Sequence, residues 1–461
     1  MIYRGDVAPG QKLPSERELA ESLGVARLTV SKAYEELARE EFVVSSQASG
    51  TFVRARKRFS IEPHSIQFAR QRREPLLSQY GRRICSPDAI EPVDVEICPE
   101  LNYSAAHPEQ LPLSKWKDHL VRASRSRELT QSSYLTDVLG YEPLRRAIAN
   151  YLNRARGVRC TAEQLVLFSG AQPALDLISR ILLDPGDIAA VENPGFPGAR
   201  RTFASYGATI LPVETDEGGM VVDYLIAAKP APKIVYLTPG HHDPLGYSLS
   251  DARRRKLLQW AQDTNAFIVE DDFDGEYRYG TRRAVSLQSV DQWQSVIYIS
   301  TFWKVMFPVL RLGFLVVPPQ LLGVVRRAKS LVDRDFHFIE HEAFANFINE
   351  GDLERHISKT KRVYARRRET LIAQFNKAMP AGAGIDAAGA GTHLILRLNL
   401  PVEDDSVLSL AKAAGLPLVS SAPYYAGAPR KGEFLLPFAH IDEESMRASM
   451  AVFARSLSSL S

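Results

Sequence analysis

"YISTFWKVMFPVLRLGF", residues 298–314, reads as two buried apolar strands with a lysine between them. Lys304 sits between Trp303 and Val305 with no acid near it in sequence, and a lysine is almost never fully buried without a partner. An amine held among apolar side chains has its charged form disfavoured, so its pKa falls and it becomes a nucleophile toward carbonyls. The natural tenant of such a site is an aldehyde, joined to the lysine as a Schiff base.

Three features outward from this stretch favour pyridoxal phosphate among aldehydes. "FSGAQPALDL" puts Gly170, Ala171 and Gln172 at a strand-to-helix turn, where free backbone N–H groups and the helix dipole suit a phosphate. "FIVEDDFD" ends a strand in carboxylates, and Asp271 is placed to keep a pyridine nitrogen protonated, as the electron-sink chemistry of this cofactor requires. Thr301 and Arg311 flank the lysine, so a hydroxyl and a guanidinium can both reach the phosphate. Phe196, in "VENPGFPG", is a candidate to stack on the ring. Taken singly, each has a plainer reading: an acid at a strand end caps a loop, Gly-Ala-Gln starts a helix, and Phe196 fills a core. Their order along one chain carries the argument.

The chain has 461 residues, 45% of them hydrophobic and 24% charged, the composition of a soluble globular protein of two or three domains. No uncharged apolar run reaches the roughly 18 residues of a membrane span, and no signal-peptide pattern opens the chain; a cytoplasmic protein is expected. Cys85, Cys98 and Cys160 lack metal-ligand spacing, so neither a disulfide framework nor a metal site is expected. A net charge of +3 is too small to indicate nucleic-acid binding unless a local motif supplies it.

Texture divides the chain into residues 1–57, a linker over 58–92 rich in Arg, Pro and Ser, and a domain over 93–461 in which helical and strand patterns alternate. "KIVYLTPG", "AFIVEDD", "VIYIST" and "RLGFLVVPP" are nearly continuously apolar, which suits a mostly parallel α/β sheet covered on both faces. In the first region, "LPSERELAESLGVARLTVSKAYEELAREEF" predicts two helices about a turn at Gly24. Ser15 and Glu18 form a capping box, Leu19, Ala20 and Leu23 face inward, and Val30, Tyr34 and Leu37 form the buried stripe of the second helix. The opposite face of that helix offers Arg27, Thr29 and Lys32 at its start, as a recognition helix offers donors to a major groove. "FVVSSQASGTFVR" then reads as a hairpin.

The first region resembles the GntR family of winged-helix regulators through "PGQKLPSERELAESLGVARLTVSKAYEEL" and "SGTFV". That resemblance implies that Arg17, Arg27 and Thr29 approach double-stranded DNA and that Gly50 lies where the wing enters the minor groove. A helix usual before the "PG" turn is missing, so either the true start lies upstream or the module lacks part of its core. Ala26 and Leu28 replace small hydroxyl residues, which would change base preference.

From about residue 93 to 455 the chain resembles fold-type-I aminotransferases, through "GYEPLRRAIANYLNRARGV", "VENPGFPGAR", "EDDFDGEYRY" and "STFWKVMFPVLRLGFLVVP". The whole is similar to the MocR branch of the GntR family. The fold implied is a winged helix-turn-helix followed by a mixed, mostly parallel sheet between helices, with a small C-terminal α+β part. The resemblance puts Lys304 on the cofactor aldehyde, Asp271 on the pyridinium, and Thr301, Arg311 and Gly170 to Gln172 on the phosphate. It also implies a domain-swapped homodimer on an operator with repeated or palindromic half-sites.

Departures accompany it. Phe273 replaces a ring-hydroxyl tyrosine, Leu135-Thr136 replace a Tyr-Gly phosphate contact beside Tyr134, Trp303 replaces a serine, Asp243 replaces a neutral residue, and Leu435 aligns with the arginine that holds a substrate carboxylate. No catalytic residue is therefore assigned, and transaminase activity is expected to be lost. The leading expectation is a transcriptional regulator that senses pyridoxal phosphate or an amine or amino-acid adduct of it. The alternatives are a regulator whose degenerate domain no longer binds the cofactor, and a working aminotransferase fused to a DNA-binding module.

Overall fold

The computed structural model describes residues 7–46, 49–54, 77–85, 108–127, 137–279, 285–333, 337–386 and 389–459. Tyr134, Leu135, Thr136, Cys98 and most of the linker lie outside them. The chain separates into two compact units, Met1–Leu76 and Leu77–Ser461.

In the first unit, α1 (Glu16–Leu23) starts where the Ser15 hydroxyl accepts from Glu18 N while the Glu18 carboxylate accepts from Ser15 N, so two otherwise unpaired N–H groups are satisfied reciprocally. Gly24 ends it at φ 64°, a left-handed turn that glycine enters without a Cβ clash. α2 (Arg27–Arg39) buries Val30 and Tyr34 against Ala20, with Leu13, Leu19 and Leu37 partly covered, and Tyr34 donates to the Pro14 carbonyl. The inward placement of Leu23 is corrected: it is 63% exposed, because it ends α1 at the rim where Gly24 reverses the chain. β1 (Val43–Ser46) and β2 (Gly50–Val53) pair antiparallel, Val43 opposite Val53 and Ser46 opposite Gly50. Gly50 has φ 102°, and a Cβ there would stand 2.7 Å from Lys12 Cε. Lys12, which lies over the Phe52 ring, thus seals the ribbon onto the turn before α1.

In the second unit, β3 (Leu165–Phe168), β4 (Ile188–Asn193), β5 (Thr209–Asp216), β6 (Gly219–Met220), β7 (Ile234–Leu237), β8 (Phe267–Asp271), β9 (Val296–Thr301) and β10 (Gly313–Val316) form one sheet, in the order β3-β10-β9-β8-β7-β4-β5-β6. β5, β4, β7, β8 and β9 run parallel. β10 supplies antiparallel pairing to this mixed, mostly parallel sheet, since it pairs antiparallel with both β9 and β3. Only about a dozen residues separate β9 from β10, too few for a parallel crossover that packs a full helix on the sheet.

Period-two burial explains why these strands are apolar throughout. Val166, Phe168, Val191, Tyr236 and Ile299 join one core cluster, whereas Leu165, Leu167, Tyr298 and Phe314 join another on the opposite face. Helices Ala171–Leu182, Pro197–Ser205 and Pro319–Val332 cover the first cluster, and Glu142–Tyr151, Phe338–Asn349 and Asp352–Ala378 cover the second. Each fully buried Leu, Ile or Phe contributes about 1.5–3 kcal/mol relative to exposure, so both faces drive the layering. A smaller antiparallel sheet follows from β11 (Ala383–Asp386), β12 (His393–Leu398), β13 (Val419–Ser420) and β14 (Glu433–Pro437), in the order β11-β12-β14-β13. Within the stretch read as a linker, Gln79–Ile84 forms a short helix whose Arg83 donates to the Ser205 carbonyl.

Candidate cofactor and DNA sites

The C-terminal ends of the parallel strands converge, the place where open α/β sheets bind ligands. Lys304 lies just past β9, in the short helix Trp303–Met306, and is only 5% exposed. Its Nζ donates to Thr392 Oγ1 at 3.2 Å and lies 4.8 Å from the centre of the Phe273 ring. Burial pulls its pKa down, and the charges of Asp274, Asp243 and Glu276 oppose that without cancelling it. The partners that the local sequence lacks are thus acids and a hydroxyl brought in from other loops.

Three consecutive acids at the end of β8 take three different duties. Glu270 accepts from the N–H groups of Leu287 and Gln288 and from the Ser286 hydroxyl, the loop-capping role. Asp272 accepts from Tyr298 and is ion-paired with Arg156 at 2.6 Å. Asp271 accepts from the Tyr236 hydroxyl at 2.6 Å through Oδ2, while its buried Oδ1 has no hydrogen-bond partner. Burial, against the opposing Tyr236 bond and with the charges of Asp272, Asp243 and Asp274, raises Asp271 to about 7.

Ala171 opens the helix Ala171–Leu182 with no side-chain cap, so its first-turn N–H groups are open to an anion. Space for it is present: a Cβ on Gly170 would meet nothing within 4 Å. Gly313 makes this possible from the other side, because a Cβ there would stand 2.6 Å from the Gly170 carbonyl carbon. Gln172 is turned to Thr202. The Thr301 hydroxyl accepts from Trp303 N at 3.1 Å, and exposed Arg311 stacks over the Trp303 ring at 5.8 Å. Phe196 is half-buried, with its ring centre 6.2 Å from that of Tyr236.

A pyridoxal phosphate fits these residues on two observations: an orphaned buried carboxylate oxygen for the ring nitrogen, and an uncapped helix start bordered by open space for the phosphate. Tyr236, Thr392, His241 and Asp274 escaped sequence reasoning, and Trp303, noted there as replacing a serine, has a buried Nε1 without a hydrogen-bond partner. Tyr236 carried a faint signal, a polar-tipped aromatic in an otherwise aliphatic strand.

Behind the site, Glu192 accepts from Thr238 N and Oγ1, both at 2.8 Å. Burial raises it to about 8, helped by Asp243 and Asp271 and opposed by the Thr238 bonds. A carboxyl whose folded value stands above its ordinary value of 4.5 contributes stability that is complete below that ordinary value and lost as pH rises through the folded one. Glu192→Gln, which carries no charge to bury, should therefore gain melting temperature relative to the parent as pH rises toward about 8. Melting curves across that range check it; a difference independent of pH would refute it.

In the first unit, Arg17, Arg27, Thr29 and Lys32 are all exposed. Arg27, Thr29 and Lys32 lie in the first two turns of α2, and Arg17 lies in the first turn of α1. Among the described residues, Arg27 is ion-paired with Glu16 at 3.5 Å. α2 has no side-chain cap and no acid in its first turn, so its positive end is presented uncompensated, as phosphate contact requires.

Fold and sites together define a two-part protein: a winged helix-turn-helix module followed along the chain by an aminotransferase-fold domain. The family description "Aminotransferase class I and II" matches residues 101–451, and "Bacterial regulatory proteins, gntR family" matches residues 1–53. The probable rhizopine catabolism regulatory protein MocR of Rhizobium meliloti is 34% identical over 97% of this chain and 89% of its own. The pyridoxine biosynthesis transcriptional regulator PdxR of Corynebacterium glutamicum is 28% identical over 99% of this chain and 94% of its own. Among solved structures, the kynurenine aminotransferase of Pyrococcus horikoshii superposes with a TM-score of 0.72 at 26% identity, covering 82% of this chain and 98% of that one. The chain belongs to the GntR-family regulators of MocR type, DNA-binding transcriptional regulators that carry an aminotransferase-like domain. Among the described residues no helix is long and apolar enough to cross a membrane.

Proposed function

We propose that this regulator is cytoplasmic, holds pyridoxal phosphate through Lys304, and reads an amine at that site to set its affinity for an operator. The observation that carries the reading is the unpartnered Asp271 Oδ1 on the same sheet edge as a buried lysine of lowered pKa. When bound, the cofactor supplies an aldehyde that captures primary amines. The chain's own residues do the rest. Lys304, its pKa lowered by burial, offers a nucleophilic nitrogen; Asp271, oriented by Tyr236, holds a proton on the ring nitrogen; the Gly170–Gln172 turn, Thr301 and Arg311 hold the phosphate. The loss of an arginine at Leu435, which is buried in an apolar cluster with Leu245, Ile395 and Tyr424, supports sensing over transamination.

A ligand bound with different affinity by two states of the protein shifts their populations, and DNA affinity follows. The chain acts as a domain-swapped homodimer on two half-sites, which sets an operator of repeated or palindromic sequence. The test selects duplexes from a random pool with the full chain and footprints them with and without pyridoxal phosphate and amines. A two-part footprint whose occupancy changes with ligand is expected. A single half-site overturns the dimeric reading, and ligand-independent occupancy overturns the sensing role.

A further inference from the structure

Beside Lys304 lies a buried cluster that the cofactor reading leaves unused. The Phe273 ring, which covers the lysine nitrogen, is stacked against His241 with ring centres 5.9 Å apart and planes 23° from parallel. His241 Nδ1 donates to Asp274 Oδ2 at 2.6 Å. Both residues are at most 3% exposed, yet Asp274 Oδ1 and His241 Nε2 have no hydrogen-bond partner. Gly391 locks the imidazole from behind, since a Cβ there would stand 2.4 Å from His241 Cε1. A buried carboxylate oxygen left unpaired is costly, and here it is held rigidly within electrostatic reach of the lysine.

The charges around the cluster set what can complete it. Burial raises the Asp274 carboxyl, but the charge and hydrogen bond of His241, with Lys304 and Arg278, more than offset that and hold it at about 2, so it is an anion. Asp243 adds a second acid close enough to act on Lys304. Among the described residues, Arg156 is ion-paired with Asp272 and Glu276, Arg397 with Asp386 and Glu433, and Arg278 donates to the Gly240 carbonyl and faces Asp272 at 3.8 Å. A ligand carboxylate here would be desolvated beside the like charges of Asp274 and Asp243, next to guanidiniums that, among the described residues, already have acceptors.

We propose that the effector is a primary amine bearing a second hydrogen-bond donor, a hydroxyl or ammonium, where an amino acid bears its carboxylate. Its amino group engages the site at Lys304 and its second donor satisfies Asp274 Oδ1. The inference rests on the reading that Lys304 holds pyridoxal phosphate and narrows it to a ligand class.

The test uses the full chain supplied with pyridoxal phosphate, whose visible absorbance reports what occupies the space around Lys304. Ethanolamine is compared with glycine, propanolamine with β-alanine, and putrescine is added as a diamine. The carboxylate-free amines should perturb the spectrum at half-effect concentrations at least ~10-fold below their carboxylate counterparts, corrected for their reaction with free cofactor. Asp274→Asn should bring that ratio close to one. Equal or reversed ranking in the parent protein overturns the proposal and needs no variant to fold; an unchanged ratio in a folded Asp274→Asn protein overturns the role of Asp274. A parent protein with no visible band at all overturns the cofactor reading, and the ligand class with it.

Discussion

Lys304→Ala protein, soaked in excess pyridoxal phosphate and reduced with borohydride, should carry no phosphopyridoxyl mass within residues 298–314, where the parent carries one on Lys304. The effect is all-or-none because Lys304 is the only lysine in that segment and because no other side chain there can form a reducible linkage with an aldehyde. The fold should survive the change. Lys304 Nζ donates to Thr392 Oγ1, and removing a desolvated amine relieves a burial cost that offsets much of the cavity left behind. Circular dichroism and duplex binding by the variant check that point. Parent protein that shows no adduct at residue 304 under these conditions would end the cofactor assignment, while the DNA-binding assignment would stand on the first unit alone.

The second large effect is on DNA. Arg27→Ala should weaken binding to the selected operator by about 10- to 100-fold, the range for losing a bidentate base contact worth about 1–3 kcal/mol. Most of that loss should vanish on a duplex mutated at the base pair Arg27 reads. Arg27 reaches solvent with 73% of its side chain, and its ion pair with Glu16 is exposed, so releasing it to DNA costs little. Lys32→Ala, one turn further along, should instead weaken binding to all duplexes alike and lower the slope of log affinity against log salt by about one. Fluorescence anisotropy across a salt series separates the two behaviours. An Arg27→Ala loss that is uniform over sequence and removed by salt would reassign that residue to a phosphate. Leu28 is 67% exposed between Arg27 and Thr29.

Much of the architecture was legible because it rests on local chemistry. The Ser15–Glu18 box, the left-handed turn at Gly24 and the hairpin of β1 and β2 each involve residues close in the chain, and their patterns survive into the structure. The strands of the large sheet announced themselves by runs that are apolar on both faces, which the two opposing core clusters explain. Less was legible where a pattern has two outcomes. The run "RLGFLVVPP" is equally apolar whether it runs parallel or antiparallel, since direction leaves no mark on side-chain polarity. Leu23 kept the right helical spacing for a core that does not extend to the end of α1.

By itself the sequence determined the two-part organisation, the helix-turn-helix with its exposed basic positions, and the lysine set in an apolar run, because caps, periods and turns act over a few residues. Only the tertiary structure decided which of Glu270, Asp271 and Asp272 is left with an unpaired oxygen, and that His241 and Asp274 stand beside Lys304. Those outcomes depend on hydrogen bonds and ion pairs from strands and loops distant in the chain: Tyr236 to Asp271, Tyr298 and Arg156 to Asp272, Ser286 to Glu270. A carboxylate's duty is set by which donors reach it in a medium of low dielectric, and adjacency along the chain does not specify those donors.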